Sequence, residues 1–343
     1  MSISVDDGIK TIRTLESKIA SLRMQLSLES IKRRQAEEEL RKLEAIFQTI
    51  NDTKGYFCDS PIPTSTKSLF KKSATAILCL NDWHVEGCVR HDVVDNANEF
   101  NLEIASSRIE TTFQKALNLL RFVRNLVKID QLIIWLGGDL INGNIHQELE
   151  EANFLGPTEA IIFIQNQISK GIDFFLKRGN LKEILVVTNY GNHGRSCQLK
   201  RIATAYRHSW EWLAYTNLAF HYRKHPRVKF KIEKGYHNWV NVQGHDIRFH
   251  HGDSINFCGG VGGVVIPLRK KIMQWNKRRK AYLDILGHFH QFSDCWDFVL
   301  CGCLIGYDAY AINIGAEYQP PTQTFIVIEK KRGKILSLPI FLE

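Results

Sequence analysis

ATAILCLNDWH, residues Ala74 to His84, begins as an unbroken apolar run relieved by one threonine and ends on an aspartate and a histidine two positions apart. A short apolar run with no polar face reads as a strand buried on both sides, with its polar end marking where the chain leaves the sheet. Four later runs repeat the design: QLIIWLGG, LKEILVVTNY, HDIRFHHGD and YLDILGHFH. Between them lie longer stretches with helical periodicity, among them IASSRIETTFQKALNLLRFVRNL and PTEAIIFIQNQISKGIDFFLKRG. Strands alternating with helices predict an α/β fold, in which ligand sites lie beyond the carboxyl ends of the strands.

Each of the five runs delivers polar side chains at its end. The first gives Asp82 and His84, the second Asp139 and Asn142, the third Asn192 and His193, the fourth His251, and the fifth His288 and His290. These are carboxylate, amide and imidazole donors with no thiolate among them, the set that suits a pair of divalent cations sharing one carboxylate. Residues two apart on an extended backbone point to one side, so Asp-x-His and His-x-His are each expected to present two donors together. His250, next to His251, is then expected on the opposite face, in a structural role.

In chain order the motifs are DxH, GD, GNH, HG and GHxH, and as a set they resemble the calcineurin-like metallophosphoesterase superfamily from about Ala74 to the C-terminus. The resemblance implies a four-layer αββα sandwich of two mixed β-sheets flanked by helices. It also implies a metal-dependent phosphoesterase. Asp82, His84 and His290 would hold the first metal and Asn192, His251 and His288 the second, with Asp139 between them. His193 would stand beside the scissile phosphate as general acid. The two metals are expected to be manganese, with iron, zinc or nickel open, since availability often decides among ions that accept the same donors. Two departures from the family pattern stand out: Asn142 replaces a second aspartate of the GD motif, and Gly194 and Arg195 follow GNH where an acidic residue is common. Arg195 is a candidate clamp for a phosphate oxygen, since a guanidinium forks onto two acceptors.

The helical arm before this domain has a different pattern. Ile12, Leu15, Ile19, Leu22 and Leu26, then Ala36, Leu40, Leu43 and Phe47, follow a 3,4 spacing interrupted by Glu29 and Arg33. That is the a/d pattern of a coiled coil, so residues 1–50 are expected to form a coiled-coil arm that makes a homo-oligomer. Residues 51–73, with prolines, glycine and several Ser and Thr, read as a linker to a metallophosphoesterase domain over 74–343. The eight cysteines are scattered with no CxxC pair, which argues for reduced thiols. Cys301 and Cys303, two apart on an apparent strand, are expected to share one face. The first residues hold two acids and no apolar core, and no stretch reaches the ~18 apolar residues of a membrane helix, so a cytoplasmic protein without membrane contact is expected.

Substrate class rests on charge. The chain carries a formal net charge of +9, which suits an anionic partner. Between HGD and GHFH, the segment Leu268–Lys280 holds Arg269, Lys270, Lys271, Lys277, Arg278, Arg279 and Lys280 with Trp275 among them and no acid. Cations with an interleaved aromatic suit a phosphodiester backbone and an unpaired base, and Lys200, Arg201 and Arg207 add charge after GNHGR. The favoured substrate is therefore DNA or RNA, cut by a nuclease or phosphodiesterase. The alternatives are a phosphomonoesterase on a phosphoprotein or small nucleotide, and a scaffold without activity.

Overall fold

The computed structural model describes residues 16, 18–34, 37–38, 41, 72–145, 153–256 and 263–343. The chain divides into two units, Met1–Thr64 and Ser65–Glu343. In the first, 18–34 form a helix, α1, on which Ile19, Leu22 and Leu26 are 48%, 56% and 72% exposed. The remaining heptad positions of the expected coiled coil, and the linker up to residue 71, fall outside the described residues.

The second unit runs β1 (Ser73–Leu80), α2 (Leu102–Val123), β2 (Lys128–Leu136), α3 (Pro157–Arg178), β3 (Glu183–Thr188), α4 (Trp210–Tyr222), β4 (Val228–Ile232), β5 (Asn238–Val242) and β6 (His245–Phe249). It continues with α5 (Val265–Asn276), β7 (Leu283–Leu286), β8 (Ser293–Asp294), β9 (Phe298–Leu300), α6 (Ala309–Asn313), β10 (Thr322–Glu329) and β11 (Gly333–Phe341). Six strands form one sheet in the order β11-β10-β1-β2-β3-β4 and five form a second, β5-β6-β7-β9-β8. β1 to β4 are mutually parallel, and β10 and β11 join antiparallel at the edge. In the second sheet β6, β7 and β9 are parallel and β5 and β8 antiparallel.

Burial along β1 shows how the layers arise. Ala74, Ala76, Leu78 and Leu80 face a core shared with α2, α3 and α4, including Ile109, Ile164 and Ala214. Ile77 and Cys79 face the other way, into a core with Phe249, Ile285 and Val299 of the second sheet. A strand buried on both faces needs no polar alternation, which is why ATAILCL has none. On the outer side of the second sheet, Leu268 and Ile272 of α5 pack on Leu286, Phe298 and Leu300. The result is an αββα sandwich of two mixed sheets, helices outside, with β1, β2, β3, β6 and β7 each ending just before a polar motif. No helix among the described residues is long and apolar enough to cross a membrane.

Cys301 and Cys303 do not share a face. They lie beyond β9, where the pleat has ended; Cys301 enters the core between the sheets and Cys303 the helical core.

Candidate metal centre

Two groups of side chains converge at the strand ends, Asp82 with His84 and His290, and Asp139 with His251 and His288. Within each, the donor atoms lie within 4.8 Å of one another. In the first, His84 Nε2 and His290 Nε2 face each other at 3.2 Å, and His290 Nε2 is 3.7 Å from Asp82 Oδ1. In the second, His251 Nε2 meets Asp139 Oδ2 at 2.8 Å.

The outer ring nitrogens fix which atom faces inward. His251 Nδ1–H donates to Gly137 O at 2.8 Å, and His84 Nδ1–H donates to Asn142 Oδ1 at 3.1 Å. Each leaves Nε2 as the donor atom available to a cation. Asn142, where an aspartate was the commoner family choice, thus orients His84. Its backbone carbonyl also receives His193 Nδ1–H at 3.0 Å.

Charge is concentrated at Asp139. Burial alone would raise its carboxyl, but His251, His193 and His84 around it hold it well below the usual carboxylate range. Burial drives His84 well below an ordinary imidazole, helped by His193 and His290, and it outweighs the neighbouring histidines in raising Asp82. His251 goes the other way: burial opposes its charge, but Asp139 more than compensates and raises it well above 6.5.

The donor set fits divalent cations. Asp82 Oδ1 and Asn192 Oδ1 are buried and have no hydrogen-bond partner among the described residues, a condition that costs about 1–3 kcal/mol per group unless something else satisfies them. Two imidazole Nε2 atoms pointed at each other likewise need a proton or a cation between them.

The loops are brought together by backbone. Asp82 N donates to Gly138 O at 2.9 Å, His84 N to Asp139 O at 3.1 Å, and Gly287 N to His251 O at 2.8 Å. A Cβ on Gly191 would lie 2.0 Å from Asp139 Oδ1, so glycine is required for the GNH loop to reach the carboxylate. The expected extended geometry of Asp-x-His is not what brings its members together. Asp82, His84, Asp139, His288 and His290 all have positive φ, between 47° and 72°. His288 and His290 accordingly part company, one joining each group.

His193 is half-buried beside both groups, its ring edge-on to His84 at 4.7 Å between centroids, and its backbone N–H donates to Asp139 Oδ1 at 2.7 Å. Arg195 differs from the expected phosphate clamp. Its Nη1 donates to Asn192 O at 2.8 Å and its Nε to Cys197 O at 3.1 Å, so both edges of the fork are engaged and it braces the loop. His250 turns away to Asp284, 3.3 Å from its Oδ1.

The basic segment, though bracketed in sequence by two metal motifs, carries its last four cations away from them in space. β6 and β7 are parallel, so the connecting α5 must return to the start of the sheet; its twelve residues span about 18 Å. Lys277, Arg278, Arg279 and Lys280 therefore precede β7, whereas His288 and His290 lie past its other end. Arg279 pairs with Asp246 at 2.9 Å and stacks on Trp239, and Arg269 pairs with Asp297 at 3.3 Å. Lys270 is exposed, and Lys271 Nζ lies 5.9 Å from the Trp275 ring centre. The loop after Arg195 is the one that reaches the site: Lys200 Nζ contacts Asp253 Oδ2 at 2.6 Å, two residues past His251, and Arg201 beside it is exposed.

Sequence reading also missed Glu211. It sits fully buried in the first turn of α4, Oε1 accepting Leu140 N–H at 2.6 Å and Oε2 accepting Gly191 N–H at 2.7 Å. Burial, and then Asp139, push its carboxyl up to about 8. The one sequence signal was an acid enclosed by two tryptophans just after a capping serine, in SWEW.

No protein-family model matches the chain, and no curated protein matches it. Among solved structures it is similar to a predicted phosphoesterase from Streptococcus pneumoniae TIGR4 (11% identity, 74% of this chain and 83% of that one, TM-score 0.30). It is also similar to Vps29 of Entamoeba histolytica complexed with Zn2+ (10%, 77% and 99%, 0.31) and to a hypothetical protein of Pyrococcus horikoshii OT3 (12%, 78% and 89%, 0.37). At those TM-scores the likenesses carry no weight for the chemistry, which rests on the side chains themselves. The two mixed sheets and the Asp/His groups at their strand ends are the arrangement that the motif resemblance implied.

Proposed function

We propose that the chain is a two-metal-dependent phosphoester hydrolase whose substrate is the phosphodiester backbone of DNA or RNA. The observation that carries the reading is the pair of Asp/His groups, with the Asp139 carboxylate between His251 and the backbone of His193. Asp82, His84 and His290 would hold one cation and Asn192, His251 and His288 the other, with Asp139 shared; manganese is the favoured metal. When bound, such cations supply Lewis acidity and activated water. The protein's own part is to orient Nε2 of His84 and His251, through Asn142 and Gly137, and to place an acid. With His193 Nδ1–H held by Asn142 O, Nε2 is the ring atom free to hand a proton to the leaving oxygen.

A polyanionic substrate is favoured by the Lys200–Arg207 loop, which reaches Asp253 and carries Arg201 and Arg207 outward. The net charge of +9 supports the same class. The test compares hydrolysis of bis-p-nitrophenyl phosphate with p-nitrophenyl phosphate in Mn2+, followed by labelled single- and double-stranded DNA and RNA. Diester preference with cleavage of one nucleic acid is expected; monoester preference would favour the phosphatase, and silence on all substrates a scaffold. Self-association through the heptad arm belongs to the same proposal. It is checked by light scattering of the whole chain against one starting at Ser73, equal protomer numbers counting against it.

A further inference from the structure

Two loops must be held at a fixed separation for this centre to exist: Gly137–Asn142, carrying Asp139, and Gly191–Gly194, carrying Asn192 and His193. The backbone N–H groups of Leu140 and Gly191 point at the same carboxylate, that of Glu211, at 2.6 and 2.7 Å. One belongs to the residue after Asp139 and the other to the residue before Asn192. Glu211 is itself fixed. Arg195 and Ser209 form an antiparallel bridge, Trp210 N donates to Gly194 O at 2.8 Å, and Ser209 Oγ caps α4 by accepting Trp212 N–H at 3.1 Å.

Gly194 completes the arrangement. A Cβ built there would lie 2.7 Å from Glu211 Cγ and 3.0 Å from its Cδ. The glycine thus leaves open the volume that the Glu211 side chain fills. The nearest atoms all belong to the Glu211 side chain, whose carboxylate is held by the two backbone N–H groups, so it has little room to yield.

We propose that Glu211 is a positioning residue. From α4 it spans the two metal-binding loops, in space that any side chain at 194 would otherwise occupy, and so sets the distance between Asp139 and Asn192. The inference rests on the reading of these loops as metal-binding.

Metal uptake gives a readout independent of turnover. In Glu211→Gln one oxygen is replaced by an NH2 group, which faces a backbone N–H donor with a donor. The loops are expected to separate, and Mn2+ affinity measured by calorimetry should fall about 10–100-fold, the range for loss of an outer partner of a metal ligand. The Co2+ absorption spectrum should change, and in chelator the variant should still unfold cooperatively, with a midpoint lowered because one buried N–H loses its acceptor. Gly194→Ala should weaken metal uptake in the natural background but cost nothing further in Glu211→Ala, where the added methyl has room. That coupling is also read as unfolding free energy without metal, so it survives poor behaviour of any one variant.

Unchanged Mn2+ affinity and Co2+ spectrum in Glu211→Gln overturn the positioning role alone. An equal cost of Gly194→Ala in both backgrounds overturns the shared-volume argument. If the unaltered chain takes up no metal, the functional reading falls, and the positioning role with it.

Discussion

Asparagine at Asp139 preserves the shape of the side chain and removes the one charge on which the centre turns. Oδ1 receives the His193 N–H at 2.7 Å and Oδ2 meets His251 Nε2 at 2.8 Å. The amide keeps the first contact through its oxygen and donates to a neutral His251 through its nitrogen, so the fold should survive. What is lost is the carboxylate facing His251, His193 and His84, the groups that hold Asp139 well below its usual range. Loss of an outer-shell partner already weakens metal binding 10–100-fold, so loss of a shared donor should cost about 100-fold or more. Stabilisation by a bound ion follows RT ln(1 + [L]/Kd). With free Mn2+ at 100 times the natural Kd, the natural chain gains about 2.7 kcal/mol, while a variant with a hundredfold weaker site gains only about 0.4. Urea unfolding of both proteins, with and without Mn2+ at one free concentration, measures the two gains. An equal metal-dependent gain in Asp139→Asn would refute the shared carboxylate.

His193→Ala should retain metal uptake and slow hydrolysis by about 10²–10⁴, less for an activated aryl ester whose leaving group needs little protonation; equal losses on both would remove His193 as the acid. Glu86, with Oε1 on the Gly143 N–H and Oε2 buried without a partner among the described residues, is pushed up to about 7 by burial. Its folded value lies above its ordinary one. Its contribution to stability is therefore complete below pH 4.5 and lost as pH rises through about 7, a change of about 3 kcal/mol that Glu86→Gln should abolish. A difference between the two proteins that stays flat from pH 4.5 to 7.5 would count against this burial account. His290→Gly should leave the chain without metal more stable than His290→Ala by about 1 kcal/mol, because φ there is 57° and only glycine adopts it without strain; chemical unfolding of the two decides it.

How much of this was legible in the sequence depended on whether the information was local. The strands β1, β2, β3, β6 and β7 were readable because each is a short apolar run, and the candidate donors because each follows such a run directly. Spatial relations set by topology were not readable from spacing. The cations after Trp275 are bracketed in sequence by HGD and GHFH, yet a crossover between parallel strands carries its far end away from the centre. Arg195 looked like a clamp because its neighbours are candidate ligands, but the carbonyls that engage it come from the bend of its own loop. Glu211 was invisible for the opposite reason. Its partners, the backbone N–H groups of Leu140 and Gly191, carry no sequence signature, and it approaches them from a helix between the GNH and HG motifs.

The donors' backbone ties these observations together. Nine described non-glycine residues have positive φ, and five of them are candidate donors. Such backbone costs of order 1–3 kcal/mol per residue and persists only where the surroundings over-determine it. Here they do: Asp82 and His84 are bonded through their amides to Gly138 and Asp139, the next strand end, and the amide of His288 donates to Asp82 Oδ2 at 2.8 Å. Asp82, His84 and His288 are thus each placed partly by the loop of another donor. A left-handed turn after the strand redirects the following side chains, which is why His288 and His290 serve different groups although they are two apart. The pleat of the strands sets where the loops start. The strained turns, and the carboxylate of Glu211 between two of the loops, set where the side chains end.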